Sequence, residues 1–448
     1  MAITEWYLRS TRVFGPSGLR DMAVGVRGET ISEVVVPTEM QAGLPVVDVG
    51  DLVVMPGFVD SHVHINEPGR TEWEGFRTAT RAAAAGGITS LVDMPLNSIP
   101  VTTSQAAMQV KMATAEGQLW VDCGFWGGVV PGNSDQLFPM ITDGILGFKG
   151  FLCHSGIDDF PNVTEQDLHA IMPILAQKAV PLLFHAELET PLDSTGDPSE
   201  YATFLTSRPA SWEVAAIDLV IRLCREYRCP VHIVHLSAAD ALPKIAAAKA
   251  EGLPITVETC PHYLTLEAEA IPRGATACKC APPIRSAENR ERLWAGLKDG
   301  IIDFIVSDHS PCTPELKKPE TGDFMAAWGG IASVQFSVSL VWTEAKRRGF
   351  GLADLHRWMC QGPSRFAGLS PAKGMIATGF DADLVVWDPD DTHTVAVERI
   401  EHRHPITPYL DRDLSGVVDK TYVRGQKVYD RGTFAGLPIG KLLRRLDA

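Results

Sequence analysis

Short apolar runs alternate with segments of helical spacing through the middle of the chain, from Val53 onward. An apolar run of four to eight residues between turn signals is typical of a buried strand, whereas apolar residues three or four apart are typical of a helix. Eight runs of the first kind predict strands at 58–62, 91–94, 122–129, 147–151, 181–185, 231–235, 255–259 and 303–307. Helical spacing occurs between them, most clearly at 73–85, 164–178, 212–226 and 334–347.

Eight strands that alternate with helices predict an α/β fold, specifically a (β/α)8 TIM barrel with long insertions, which we assign to residues 56–369. A doubly wound parallel sheet is the structural alternative. It is disfavoured because no GxGxxG motif opens any of the predicted helices.

The two ends of the chain have a different sequence pattern, which predicts strands and turns and shows no helical spacing of apolar residues. The N-terminal part predicts strands at 6–14, 22–27 and 30–36, and β texture returns at 383–388 and 422–428. We therefore expect residues 1–55 and 370–448 to form one small β-sandwich domain beside the barrel.

Composition narrows the class of protein. The 448 residues are 45% hydrophobic and carry a formal net charge of −15, which suits a well-buried soluble enzyme and argues against a nucleic-acid partner. No charge-free apolar run is long enough to span a bilayer, so we expect no membrane partner. The nine cysteines form no CxxC pair, and Met1–Glu5 resembles no signal segment, so a cytoplasmic protein is expected.

His62-Val63-His64, at the end of a predicted strand, is the most informative motif. Side chains alternate across a strand, so residues two apart project from the same face. Two imidazoles are thereby close enough to bind one metal ion. An HxH pattern also arises by chance, so its weight depends on the rest of the chain.

Four later apolar runs also end in residues that carry chemistry: Lys149, His185, His235 and Asp308. In a TIM barrel the strand ends form the active site. Imidazole and carboxylate are ordinary zinc ligands, and five such groups exceed what one zinc takes, which favours a two-metal site. His232 competes with His235; they are three apart, so on one strand they would face opposite ways, and we choose His235 as nearer the strand end.

The sequence around these residues resembles that of the cyclic amidohydrolases of the amidohydrolase superfamily, and among them the allantoinases. The resemblance extends from about Val13 to about Val428. The stretches that carry it are 62–76 (HVHINEPGRTEWEGF), 93–97 (DMPLN), 147–151 (GFKGF), 278–285 (CKCAPPIR), 307–312 (SDHSPC) and 328–332 (WGGIA).

The resemblance implies a binuclear metal centre. Lys149 would be carbamylated by carbon dioxide to N6-carboxylysine and bridge two divalent ions, expected to be zinc, with cobalt or manganese as alternatives. This accounts for a lysine among the candidates, since an ammonium has no lone pair to offer. By the same resemblance His62, His64 and Asp308 hold one ion, His185 and His235 hold the other, and Asp308 is the catalytic general base and acid.

The resemblance also implies a neutral cyclic ureide as substrate, allantoin, opened to allantoate in purine catabolism, and a homotetramer. Dihydroorotases have arginine where this chain has Asn66, and hydantoinases have tyrosine where it has His154 and serine where it has Ala281. We expect no arginine in the pocket, although Arg70, Arg77 and Arg285 are within loop reach. The candidate substrate contacts are Asn66, Asn97, His154, Ala281, Ser310, Trp328 and Gly329.

Two rival functions stay open at this stage. One is a hydantoinase or dihydropyrimidinase that acts on another cyclic amide. The other is a non-catalytic relative that kept the fold as an assembly module, which would be expected to have lost some ligand residues.

Overall fold

Parallel strands form a barrel in the middle of the chain. The computed structural model describes residues 4–192 and 195–445. Barrel strands 1 to 8, in chain order, are Phe58–Val63, Ile88–Asp93, Asp122–Phe125 with Gly127–Gly128, Phe148–Phe151, Leu182–His185, Val231–Ile233, Ile255–Thr259 and Phe304–Ile305. All eight predicted strands are present, and the (β/α)8 barrel is confirmed.

The strands pair in sequence order, as expected when each strand is followed by a returning helix. Strands 1 to 3 form one hydrogen-bonded sheet, and the Gly127–Gly128 half of strand 3 begins a second sheet that continues to strand 8. The barrel closes between strands 8 and 1, where His64 N donates to His309 O at 2.8 Å.

Each strand is followed by at least one helix that packs outside the barrel. The main helices are Phe76–Ala85, Gln105–Ala115, Ser134–Thr142, Glu165–Gln177, Ala210–Tyr227, Leu242–Ala250, Ala287–Lys298 and Ser337–Arg347. Shorter helical segments are Tyr201–Ser207, Pro261–Thr265, Leu352–His356 and Gly362–Phe366, and the last two are joined by a π-helical turn, Arg357–Gln361.

The first barrel helix begins at Phe76, three residues after the predicted start at Trp73. Gly75 precedes it with φ +131°, and the Glu67 carboxylate accepts the Phe76 amide at 2.7 Å. A side-chain oxygen in this place satisfies an amide that has no partner inside the helix. The helix ends as predicted at the glycine pair, where Gly87 has φ +78°.

Segments from the N-terminal and C-terminal parts of the described chain join in one nine-stranded sheet. Its strands are Glu5–Gly15, Gly18–Arg27, Thr30–Val35, Val46–Asp48, Val53–Pro56, Leu384–Thr394, Asp413–Val423, Gln426–Asp430 and Thr433–Phe434. The segment predicted as β at 422–428 is a hairpin, which turns at Arg424 and Gly425 because both have positive φ.

This terminal sheet folds over itself. Trp6 and Tyr422 lie on strands that are three strand steps apart, which in a flat sheet would be about 14 Å. Their ring centroids are only 5.3 Å apart, and both side chains belong to a core with Val26 and Leu384. The result is the expected small β-sandwich, fused to the barrel through strand Val53–Pro56.

Candidate metal centre and active site

His62 and His64 project together from the end of barrel strand 1. Their ring centroids are 5.5 Å apart, and both side chains are buried. The Asp308 Oδ1 atom lies 3.2 Å from His62 Nε2 and 3.6 Å from His64 Nε2. Two imidazole nitrogens and one carboxylate oxygen therefore converge on one position, a donor set that suits zinc.

Lys149 lies within barrel strand 4, buried, with its Nζ 3.3 Å from His62 Nε2. No carboxylate in the described part of the chain forms an ion pair with it. Burial lowers the pKa of this lysine, although the nearby Asp308 and Glu258 carboxylates oppose the shift. A larger share of neutral amine results, which is the form that can react with carbon dioxide.

His185 and His235 form the second half of the cluster. His185 is the last residue of barrel strand 5, and its Nδ1 lies 3.1 Å from His235 Nε2. The His235 ring is also 5.4 Å from the His62 ring, so the two halves are contiguous.

His232 is not one of the converging imidazoles, because its Nε2 lies 3.1 Å from Glu258 Oε2, the carboxylate whose other oxygen contacts His62. The His232 ring stacks on Phe304 and lies against Phe366, and its Nδ1 is 2.8 Å from Thr256 Oγ1. The choice of His235 over His232 agrees with this geometry, but the strand argument behind it was wrong. Barrel strand 6 ends at Ile233, and His235 lies beyond it with φ +38°, where side-chain alternation does not apply.

Three of the four imidazoles are oriented from behind by an acceptor. His62 Nδ1 bonds to Glu258, His64 Nδ1 to the Leu96 carbonyl oxygen at 2.8 Å, and His185 Nε2 to Glu187 at 2.6 Å. An outer acceptor fixes the proton on the outer nitrogen and leaves the inner lone pair directed into the site, as in known metal centres.

The sequence analysis missed Glu258 and Glu187, although a signal for each was present. Glu258 is a carboxylate inside the buried barrel strand 7, and Glu187 follows His185 by two residues. Burial raises the pKa of Glu258 to about 8, and the charge of Lys149 opposes this shift.

Glu187 is also held by Arg208, which donates from Nε at 3.1 Å to Oε1 and from Nη2 to Oε2. Burial alone raises the pKa of Glu187, but the hydrogen bond from His185 and the charge of Arg208 outweigh it and hold the pKa at about 2. Glu187 is therefore a carboxylate throughout the neutral range.

Asp308 follows barrel strand 8 in a left-handed conformation, with φ +46°. Strained backbone of this kind at a non-glycine residue concentrates at functional sites. The Ser310 hydroxyl donates to Asp308 Oδ1 at 2.8 Å. Burial raises the pKa of Asp308, while the Lys149 charge and the Ser310 hydrogen bond lower it.

A cavity of about 520 Å³ opens beside His185 and contains part of the predicted substrate contacts. His154, Ala281, Trp328 and Gly329 all line it. A cavity of this size fits a small heterocycle with room for a side arm.

The structure does not bring Asn66, Asn97 and Ser310 to the wall of this cavity. Asn97 Nδ2 donates to Asn66 Oδ1 at 3.2 Å, so each amide is engaged by the other beside the metal ligands. Ser310 lies behind Asp308.

The expectation that no arginine enters the pocket was wrong, because Arg208 lines the cavity. The three arginines considered from sequence do not line it. Arg285 donates to Glu213 at 2.6 Å, and Arg70 donates to the Asn97 carbonyl oxygen at 3.0 Å.

The donor set fits two metal ions. His62, His64 and Asp308 offer atoms that lie within 4.8 Å of one another, and the inner nitrogens of His185 and His235 face each other next to Lys149. Burial lowers the pKa values of His62, His64 and His235 well below the usual range, so these rings are neutral and keep a lone pair.

No described helix is long and apolar enough to cross a membrane.

Comparisons with known proteins identify the family of this chain. The profile of the amidohydrolase family matches residues 53–428. An allantoinase of Streptomyces avermitilis is 48% identical, over 99% of this chain and all of that protein, and an allantoinase of Saccharomyces cerevisiae is 46% identical, over 88% of this chain and 87% of that protein.

Among solved structures, the L-hydantoinase (dihydropyrimidinase) of Arthrobacter aurescens superposes with a TM-score of 0.92 at 29% identity, covering 98% of this chain and 99% of that one. Its likeness extends over both the barrel and the terminal sheet. The chain is a member of the amidohydrolase family, and it is a hydrolase of the group that acts on cyclic amide bonds.

Proposed function

We propose that this enzyme hydrolyses allantoin to allantoate with two divalent metal ions. The observation that carries the proposal is the convergence of four imidazoles, Lys149 and Asp308 beside a cavity of about 520 Å³. The allantoinases at 46–48% identity support allantoin over other cyclic amides.

In this proposal His62, His64 and Asp308 would hold one ion, His185 and His235 would hold the other, and Lys149, once carbamylated, would add carbamate oxygen ligands. When bound, divalent ions supply Lewis acidity, which polarises a carbonyl and lowers the pKa of water. Zinc matches the imidazole-rich donor set, and cobalt and manganese are the alternatives.

Asp308 transfers the protons. Its carboxylate accepts a proton from the attacking water as the water oxygen adds to the ring amide carbonyl carbon. The ring carbon–nitrogen bond then breaks, and Asp308 returns the proton to the leaving nitrogen, which yields the open ureide acid. Ser310 keeps Asp308 Oδ1 aligned through its hydrogen bond.

The cavity selects the substrate. Trp328 and Ala281 provide an apolar wall and Gly329 a close backbone approach, whereas His154 lies at the exposed side of the cavity. We extend the proposal to a cytoplasmic homotetramer that acts in allantoin degradation, which follows from the family resemblance and stays a prediction.

The second candidate is a hydantoinase or dihydropyrimidinase, favoured by the fold similarity to the Arthrobacter enzyme. The test is to measure the metal content of purified protein by mass spectrometry and to follow the product formed from allantoin by NMR. We expect two metal ions per chain and allantoate as product. Protein that holds both metals but leaves allantoin intact would refute the proposed substrate and favour the second candidate.

A further inference from the structure

Arg208 lies in the wall of the cavity, and its positive charge is already neutralised by a neighbouring carboxylate. The residue follows helix Tyr201–Ser207, and its Nε and Nη2 atoms both donate to the Glu187 carboxylate. Glu187 is fully buried, so the pair is shielded from water on that side. Together the two side chains have no net charge.

The other side of the guanidinium is not used. A guanidinium has five N–H donors, and Nη1 donates to no residue in the described ranges 4–192 and 195–445. The Arg208 side chain keeps 19% of its surface exposed, and it lines the same cavity as Trp212, His154 and Trp328. Donors are therefore available at the cavity on a rigid, charge-compensated group.

We propose that Arg208 is a specificity-determining residue that donates from Nη1 to the carbonyl oxygen of the substrate's exocyclic ureido arm. The inference rests on the proposed function and assigns a residue to one part of that substrate. A neutral pair with unused donors suits a neutral carbonyl acceptor. The same pair attracts a carboxylate substrate only weakly, because the Arg208 charge is already paired with Glu187.

A purely structural role for Arg208 makes a different prediction. Glu187 also orients His185 through a 2.6 Å hydrogen bond. If Arg208 served only to hold Glu187, its loss would disturb His185 and would weaken every substrate equally. A ureido contact predicts a loss that depends on whether the substrate has the arm.

The experiment compares allantoin with hydantoin, which has the same ring without the ureido arm. Both are measured with the wild-type holoenzyme and with Arg208→Gln and Arg208→Lys, and hydantoin is measured as a competitive inhibitor where its turnover is slow. We expect kcat/KM for allantoin to fall about 10- to 100-fold in Arg208→Gln, the range of one hydrogen bond from a charged donor. In Arg208→Lys, which keeps a cation beside Glu187, hydantoin affinity should change less than about 3-fold, the range of a substitution that preserves the structural contact.

Arg225→Gln is the matched control. Arg225 makes the same two-pronged contact on the surface, with Nε and Nη2 each 2.9 Å from Glu251, and its loss should leave both substrates unchanged. Metal content is measured for every variant. Equal losses on both compounds, or lost metal in both Arg208 variants, would overturn the inference. Wild-type protein that binds hydantoin but does not open allantoin would refute the proposed function and this inference with it.

Discussion

Asp308→Asn separates the proton-transfer role of Asp308 from its role as a metal ligand. Asparagine keeps the shape of the side chain and one oxygen, which can still face His62 Nε2 at the 3.2 Å position. It cannot accept the proton of the attacking water. The substitution should therefore reduce turnover and leave most of the metal bound.

The structure also indicates how large the loss should be. A missing general acid or base commonly costs about 10²- to 10⁴-fold in rate. Asp308 serves both proton transfers, and neither neighbouring carboxylate can replace it. Glu258 is engaged by His62 from behind the ring, and Asp60 accepts the backbone amides of Ser307 and His62. We expect a loss near 10⁴-fold, equivalent to about 5 kcal/mol of transition-state stabilisation.

The assay is steady-state hydrolysis of allantoin over a range of pH, with metal content measured in parallel. In the wild type, activity should rise with pH as Asp308 loses its proton and then level off, with an acid limb of unit slope. Asp308→Asn should lack this limb. Turnover within tenfold of the wild type at full metal content would refute the assigned role.

Two further predictions concern the groups around the metal ligands. Glu187→Gln should weaken metal binding about 10- to 100-fold, as expected when the acceptor behind a ligand imidazole is lost, which is measured by titration with a competing chelator. The folded pKa of Glu187, about 2, lies below its unfolded value of about 4.3. Its carboxylate therefore stabilises the folded protein by about 3 kcal/mol above pH ~5. This contribution disappears as the pH falls towards 2. Urea unfolding with chelator present should therefore show a deficit for Glu187→Gln that is largest at pH 7 and shrinks in acid; a deficit independent of pH would contradict the pKa assignment. Lys149→Ala should lose metal and activity together, and metal-stripped wild type should regain activity with metal plus bicarbonate but far more slowly in carbon dioxide-free buffer; equal recovery in both buffers would count against carbamylation.

The sequence predicted the fold because the barrel depends on local patterns. Each buried strand appears as a short apolar run, and Gly86-Gly87 ends the first barrel helix where the pattern requires it. The exact residues at which strands end were harder to predict from the sequence. The run Val231–His235 is continuous in sequence, but the strand stops at Ile233 because the chain turns to direct His235 towards His185.

The site was predictable only where a residue type indicated its own chemistry. Histidines and an aspartate at strand ends identified the cluster, whereas Glu258 and Arg208 act through partners that are distant in sequence. Glu258 lies 196 positions from His62, and Arg208 directly follows Tyr201–Ser207, a helix outside the regular strand–helix repeat. Asn66 and Asn97 are paired with each other through their side chains, and their role as substrate contacts stays a prediction.

The most direct test of the account is a comparison of kcat/KM for ring opening of allantoin, hydantoin, dihydrouracil and dihydroorotate by the metal-loaded enzyme. We predict that allantoin is preferred by orders of magnitude over dihydroorotate. The Arg208 cation is already paired with Glu187, and the Lys279 ammonium, which also lines the cavity, already donates to the carbonyl oxygens of Met325 and Ala327. We also predict weak activity on hydantoin, which lacks the ureido arm. Comparable values for allantoin and dihydroorotate, or faster opening of dihydrouracil, would contradict the account.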